Sequence, residues 1–318
     1  MSSPVSKREP PRPFDAIMLA VGDGHWLYVE EVGIRDGIPA LFLHGGPGSG
    51  AQHNHRLLFD PDRFHAVLFD QRGAGRSHPY LSTHANTTAH LVADIERIRE
   101  HMGFDLMLIV GGSWGSTLAL AYAEAHPQRV SGLVLRAVFL GTDAEVDWAF
   151  RRGPEELRPD LYESFVTALP EYERVDPLHA YVTRLTGTDD GARDQAAHAW
   201  FQFERTLSEF APARETVNGA LSGAGRVPPT PIMEAHYIAN SFFLAPNALL
   251  DGAHRLGSIP GGIVQGRYDL LCPPRAAYEL ARRWPGSRLE IVPAAGHAMS
   301  EPGVFDAMKR ALDELSGR

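Results

Sequence analysis

One pentapeptide constrains the fold of this chain more than any other feature. Residues 111–115 read Gly-Gly-Ser-Trp-Gly and fit the pattern G-x-S-x-G. A continuous apolar run (106–110) precedes them, and an Ala/Leu-rich helical stretch (116–125) follows. A strand, a sharp turn and a helix in this order expose the serine hydroxyl at the end of a sheet, and the helix N-terminus favours developing negative charge there. The motif predicts that Ser113 is a nucleophile; the alternative is an ordinary glycine-rich loop.

Apolar runs of strand length alternate with helix-periodic stretches on both sides of this motif. The predicted strands cover residues 40–43, 66–69, 106–110, 132–135, 262–265 and 288–292. The predicted helices cover residues 87–102, 116–125, 275–284 and 304–315. This alternation predicts an α/β fold with a mostly parallel central sheet flanked by helices.

The alternation is interrupted once. Residues 141–246 are charged, helical and rich in proline, and they contain no convincing strand. We therefore predict a catalytic core formed by residues 1–140 and 247–318, with 141–246 inserted as a helical cap domain. Residues 1–14 are polar and proline-rich, so we expect a loose N-terminal arm and no signal peptide.

The net charge, the length of the apolar stretches and the cysteine count limit the binding partners and the cellular compartment that we expect. The net charge of the 318 residues is −9, which repels nucleic-acid phosphate and anionic lipid. No stretch approaches the roughly 20 apolar residues of a membrane-spanning helix. Cys272 is the single cysteine, which excludes an intrachain disulfide and fits a reducing cytoplasm. We expect a cytoplasmic protein that binds neither nucleic acid nor a membrane.

A serine nucleophile needs a base that is held by an acid. Asp269 follows the strand predicted at 262–265, and His297 follows the strand predicted at 288–292. Both lie at the same sheet edge as Ser113 and in the chain order serine, acid, histidine. We predict Ser113, Asp269 and His297 as the catalytic residues. For Asp269 and His297 the alternatives are a turn-forming aspartate and a surface histidine.

An oxyanion needs two N–H donors. We predict the backbone N–H of Trp114, directly after the serine, and that of Gly46, in the His-Gly-Gly-Pro-Gly loop at 44–48. His53 and His55 form a weak metal pair without a third ligand, so we predict no metal and no cofactor. The glycine-rich segment 70–76 lacks a phosphate-binding spacing and is interpreted as a structural turn.

With these residues placed, the sequence resembles the proline iminopeptidase (prolyl aminopeptidase) family of α/β-hydrolases from about residue 14 to the C-terminus. The motifs that carry the resemblance are HGGPG (44–48), FDQRGAGRS (69–77), GGSWGSTLALAYA (111–123), LVLR (133–136), GRYDLLCPP (266–274) and AGH (295–297). The resemblance implies an α/β-hydrolase fold with an inserted helical cap, the same catalytic residues and the same two oxyanion donors.

The family removes an N-terminal proline, and the resemblance implies that carboxylates of the cap bind the free α-amine. Segments 199–204 and 233–237 match the family and nominate Glu204 and Glu234. Glu204 also lies on the apolar stripe of its helix, where a carboxylate needs a cation; an ion pair with Arg136 or Arg205 is the alternative. The residues nominated for the proline pocket are Phe139, Trp148, Phe150 and Tyr237.

The sequence thus predicts a serine aminopeptidase that acts on a small peptide or amino-acid amide with a free N-terminus, preferably proline. Ala235, Ile238 and Ser300 replace residues that are usual in the family, so we expect the substrate pocket to differ from that of the family. An esterase or amidase acting on a small metabolite and a non-catalytic ligand-binding protein are the alternatives.

Overall fold

The computed structural model describes residues 9–212 and 227–317. Its strands are β1 (Asp15–Gly22), β2 (His25–Gly33), β3 (Ile38–Leu43), β4 (Phe64–Phe69), β5 (Met107–Ser113), β6 (Val130–Val138), β7 (Gly261–Gly266) and β8 (Ser287–Val292). Its helices are α1 (Thr88–Met102), α2 (Trp114–Ala125), α3 (Asp143–Asp147), α4 (Gly153–Leu157), α5 (Pro159–Thr167), α6 (Pro177–Thr186), α7 (Asp190–Ser208), α8 (Pro229–Ala239), α9 (Ala248–Gly252), α10 (Pro274–Arg283) and α11 (Val304–Leu315). A π-helical turn, Trp148–Arg152, joins α3 to α4.

The strands form one sheet in the order β1-β2-β4-β3-β5-β6-β7-β8. From β4 to β8 every neighbouring pair is parallel, which confirms the predicted fold class. β2 is antiparallel to both β1 and β4. The carboxyl ends of β3, β5, β7 and β8 therefore lie along one edge of the sheet.

The hairpin of β1 and β2 was not predicted. β1 alternates between half-buried and exposed residues, the period of a strand at a sheet edge. Asp23-Gly24 forms the turn between the two strands, and this dipeptide is a hairpin signal in the sequence. Residues 9–14 lead into β1 and contact the body: the Phe14 N–H donates to the Glu31 carbonyl at 2.9 Å. The rest of the predicted N-terminal arm, residues 1–8, lies outside the described residues.

Two apolar layers cover the two faces of the sheet. In β5, Met107 and Ile109 belong to the layer that contains α2, whereas Leu108 and Val110 belong to the layer that contains α11. Because successive strand residues point to opposite faces, a strand that is buried on both faces must be apolar throughout. This is the physical origin of the unbroken apolar runs in the sequence.

The segment between β6 and β7 contains α3 to α9 and, in its described part, no strand. β6 and β7 are nevertheless neighbours in the sheet. An aromatic cluster holds α5, α6 and α7 together: the ring of Phe165 stacks on Tyr181 and Phe203, with centroids 4.1 and 4.0 Å away. Over the described ranges, no helix is both long enough and apolar enough to cross a membrane.

Candidate active site

Ser113 is the last residue of β5 and directly precedes α2. Its φ of 58° and ψ of −128° form a conformation that non-glycine residues rarely adopt. The neighbouring glycines permit it. A Cβ on Gly111 would lie 2.2 Å from the Gly115 carbonyl oxygen, and one on Gly115 would lie 2.2 Å from the Leu43 carbonyl oxygen. The turn thus has the strained geometry that exposes a nucleophilic hydroxyl.

Asp269 and His297 meet at the same sheet edge. His297 Nδ1 lies 3.0 and 2.9 Å from the two carboxylate oxygens of Asp269. The acceptor-only carboxylate requires the proton on Nδ1, which leaves Nε2 free to accept one. Asp269 Oδ1 also accepts the backbone N–H groups of Leu271 and Cys272 at 3.0 and 2.8 Å, so the carboxylate is fixed in place.

Ser113 and His297 line the same cavity. In the described parts of the chain no hydrogen bond joins their side chains, and the buried thiol of Cys272 lies near the Ser113 hydroxyl. Burial raises the pKa of this thiol well above its ordinary value. Catalytic hydrogen bonds are often long in unliganded sites and shorten when substrate binds, so the arrangement is compatible with base catalysis by His297.

The two predicted oxyanion donors lie beside the serine. The Trp114 N–H is in the first turn of α2 and has no partner within the helix. Among residues 9–212 and 227–317, no acceptor is found for the Gly46 N–H. The adjacent Gly45 is in close contact with Ser113, since a Cβ on Gly45 would lie 3.4 Å from the Ser113 Cβ. Both N–H groups are therefore available to a ligand at the serine.

A buried network that the sequence did not reveal holds these two backbone segments together. Gln71 donates from its side chain to the His44 carbonyl at 2.9 Å and accepts from the indole N–H of Trp114 at 2.9 Å. The Gln71 N–H donates to His44 Nε2 at 2.9 Å, and burial lowers the pKa of His44. The segment predicted as a structural turn thus links the loop after β3 to α2.

Gln265 is a second residue that sequence reasoning missed. Its side chain is fully buried in β7, and its amide donates to the Cys272 carbonyl at 2.8 Å and to Asp269 Oδ2 at 3.3 Å. The sequence signal that identifies such a residue is a glutamine within an otherwise apolar strand, four residues before Asp269. It ties both ends of the loop that carries Asp269.

Glu204 of α7 and Glu234 of α8 are hydrogen-bonded to each other. Burial raises the pKa of both carboxyls, and the pKa of Glu234 is raised well above its ordinary value because Glu204 adds a like charge. The pair therefore retains a shared proton above the pH at which an isolated carboxyl would lose it. Trp200 Nε1 donates to Glu234 Oε2 at 2.6 Å. Among the described residues, neither Arg136 nor Arg205 forms an ion pair with Glu204, so the alternative role for this carboxylate is wrong.

A small apolar pocket adjoins Ser113 and both glutamates. Phe139 and Phe150 line it, as predicted. Trp148 and Tyr237 do not: the Trp148 indole donates to the Leu270 carbonyl at 3.0 Å, and the Tyr237 hydroxyl donates to Asn86 at 2.9 Å. The wall also contains residues that were not nominated, namely Pro47, Val146, Ala149, Ile238, Phe242, Leu271 and Cys272.

The helix that carries Glu204 is bonded directly to the histidine loop. The carbonyl of Ser208, at the end of α7, accepts the N–H groups of His297 and Ala298 at 3.0 and 2.9 Å. The backbone therefore holds α7, which carries Glu204, in a fixed position relative to the loop that carries His297.

The residues singled out as weaker candidates have structural contacts. His55 packs against the ring of Phe42 at 4.3 Å, and burial lowers the pKa of its imidazole to about 3. His53 is exposed. No cluster of three or more metal-ligating side chains is present in the portion of the chain that the structure covers.

Comparisons with known proteins agree with this geometry. Residues 39–304 match the alpha/beta hydrolase fold family. The chain is 43% identical to a proline iminopeptidase of Xylella fastidiosa over 310 residues, covering 95% of this chain and 97% of the relative. It is 43% identical to one of Arabidopsis thaliana over 307 residues, covering 96% of this chain and 81% of the relative.

Solved structures with lower identity share the fold. The proline iminopeptidase of Mycobacterium smegmatis has a TM-score of 0.59 and 18% identity, with 95% of this chain and 99% of that chain covered. A haloalkane dehalogenase variant from Bradyrhizobium elkanii has a TM-score of 0.66 and 21% identity, with 95% and 96% covered. The chain belongs to the proline iminopeptidase family of α/β-hydrolases.

Proposed function

We propose that this protein is a serine aminopeptidase that releases an N-terminal residue, preferably proline, from small peptides and amino-acid amides. One observation carries the proposal: a buried carboxylate, Glu234, and a half-buried one, Glu204, with no cation of the described residues paired to them, lie at the wall of a pocket that contains Ser113. A buried acidic pair without a counter-ion is costly, and a substrate ammonium is the group that relieves the cost. The names of the curated relatives support the same activity.

Recognition of the amine fixes where the chain is cut. Glu204 and Glu234 bind the α-ammonium group, and the ring of the first residue occupies the apolar pocket beside Phe139 and Phe150. The first carbonyl carbon then lies at Ser113, so one residue is released at a time. We assign this recognition to the helical cap of residues 141–246.

Acylation follows from the assigned roles. His297 Nε2 takes the proton of the Ser113 hydroxyl as its oxygen attacks the carbonyl carbon, and Asp269 stabilises the imidazolium through the bond to Nδ1. The N–H groups of Gly46 and Trp114 hold the oxyanion. The C–N bond then breaks, and the imidazolium gives its proton to the leaving amine.

Deacylation repeats these steps with water. His297 removes a proton from water, the hydroxide attacks the acyl carbon, and the ester bond to Ser113 breaks as the serine oxygen regains the proton. The first residue leaves as a free amino acid. The reaction needs no metal or organic cofactor, and we assign it to peptides in the cytoplasm.

A comparison of amide and ester substrates tests the proposal. Proline p-nitroanilide should be hydrolysed, Glu204→Gln should reduce this activity strongly, and a fluorophosphonate should label wild-type protein but not Ser113→Ala. Strong turnover of a short aryl ester without anilide turnover, unaffected by Glu204→Gln, would favour the esterase. Absence of labelling at Ser113 would favour a ligand-binding protein without catalysis.

A further inference from the structure

A second cavity, of about 280 Å³, adjoins the apolar pocket at Ser113 and shares Gly46, Glu204 and Leu271 with it. Ser113, Glu204 and His297 border it, so it adjoins the position of the scissile bond. Under the proposed function, the first residue fills the apolar pocket and the leaving peptide must occupy this cavity. Its lining therefore decides which leaving groups are accepted.

The cavity differs from the pocket in charge. Two arginines, Arg136 and Arg205, line it, and no carboxylate among residues 9–212 and 227–317 forms an ion pair with either. Arg136 is half-buried and donates one hydrogen bond to the His297 carbonyl. A guanidinium has five N–H donors and stays charged in proteins. With respect to the described residues, most of its N–H donors are therefore left for a ligand in the cavity.

Arg205 follows Glu204 directly on α7. Successive helix residues point about 100° apart: Glu204 lies at the boundary between the apolar pocket and the cavity, whereas Arg205 lines only the cavity. Arg205 is exposed at the mouth of the cavity. The site is thus acidic where the substrate's amine binds and basic where its leaving group emerges.

We propose that this cavity is a subsite for short peptides with a free C-terminal carboxylate, which Arg205 binds at the mouth and Arg136 attracts from within. The inference rests on the proposed aminopeptidase function and deepens it. A di- or tripeptide carries its ammonium and carboxylate groups at opposite ends, matching the two charged ends of the site. Arginine favours carboxylates because its planar fork can make two parallel hydrogen bonds.

Two substrates with the same scissile bond test the proposal: prolyl-alanine and prolyl-alaninamide. We expect wild-type protein to give a higher kcat/KM for the free acid, by about 5-fold, the upper range for an exposed charge pair. This preference should decrease with added NaCl, because salt screens exposed charges. Arg205→Gln should bring the ratio of the two values close to one. Because each ratio is measured within one variant, incomplete folding does not affect it.

Arg288→Gln is the matched control. Arg288 pairs with Glu314 on an exposed surface, and its loss changes the net charge equally but should leave the ratio unchanged. A ratio near or below one in the wild type, or an unchanged ratio in Arg205→Gln, overturns the subsite. If proline p-nitroanilide is cleaved but the free acid is not preferred over the amide, only the subsite is wrong and the aminopeptidase proposal stands. If no proline substrate is cleaved, the proposed function itself is wrong.

Discussion

Replacing Glu234 by glutamine should stabilise the fold and weaken catalysis at the same time. Burial and the neighbouring Glu204 raise the pKa of Glu234 well above 4.5. The folded protein therefore retains a proton that the unfolded chain releases above this pH. Stability must fall as pH rises through this window. Glutamine has the shape of the protonated acid and keeps the bond from Trp200, but it carries no proton to lose.

The expected gain in the free energy of unfolding depends on how far the pH lies above the ordinary pKa of a glutamate. Each pH unit above the ordinary pKa costs about 1.4 kcal/mol while the group stays protonated. From 4.5 to neutral pH this sets an upper limit of roughly 3 kcal/mol. We expect Glu234→Gln to gain about 1–3 kcal/mol at pH 7, or about 1.5–4.5 °C in Tm for a chain of this size. The gain should vanish below about pH 4, where the unfolded chain is protonated too.

Catalysis should change in the opposite direction. When the substrate ammonium binds, Glu234 releases its proton and forms a charged hydrogen bond, worth about 1.5–3 kcal/mol, that the neutral glutamine cannot form. This predicts a decrease of about 10- to 100-fold in kcat/KM for proline p-nitroanilide. Hydrolysis of a short aryl ester without an amine should change little, because the variant leaves Ser113 and His297 intact.

Glu124→Gln is the matched control. Glu124 lies on α2 outside the site, has a buried oxygen without a hydrogen-bond partner among the described residues, and has a pKa raised to about 8 by burial. Its replacement should also raise the Tm at pH 8 but leave the kinetics unchanged. The measurements are thermal unfolding between pH 4 and 8 and steady-state kinetics. A lower Tm for Glu234→Gln at pH 8, or an unchanged kcat/KM for the anilide, would refute the reasoning.

Three further predictions concern the residues around the serine. A bulky maleimide should inactivate the enzyme slowly, and faster as pH rises, because burial raises the pKa of the Cys272 thiol. Cys272→Ser should abolish this sensitivity. Inhibition that persists in the variant would leave the cysteine a packing role. Gln71→Leu should lower kcat about 10- to 100-fold for anilide and ester alike, because both need the oxyanion donors that Gln71 positions; a loss confined to the anilide would contradict this. Gln265→Leu should lower kcat about 10-fold with little change in KM, because the loop that carries Asp269 loses a buried hydrogen bond; an increase in KM alone would assign Gln265 to substrate binding.

Much of the fold could be predicted because its signals are local. The unbroken apolar runs of β3 to β7 reflect burial on both sheet faces. The helix predicted over 87–102 matches α1, Thr88–Met102, whose N-cap is Thr87 and whose C-cap is Gly103. The hairpin of β1 and β2 was missed because the residues of β1 alternate between half-buried and exposed positions and form no apolar run. The position of Ser113 followed from the same local pattern, since a strand, a strained turn and a helix are contiguous in the chain.

The chain by itself determined the order of the elements and the three residues that their ends bring to one sheet edge. Only the tertiary structure decided which side chains share an environment. In the folded protein Glu204 lies against Glu234 instead of an arginine. Trp148 and Tyr237 hydrogen-bond residues outside the pocket, and Gln265 hydrogen-bonds the carboxylate of Asp269. The physical reason is that hydrophobic period and turn chemistry act over a few residues, whereas the pKa and partners of a buried polar group depend on desolvation and on neighbours contributed by distant elements.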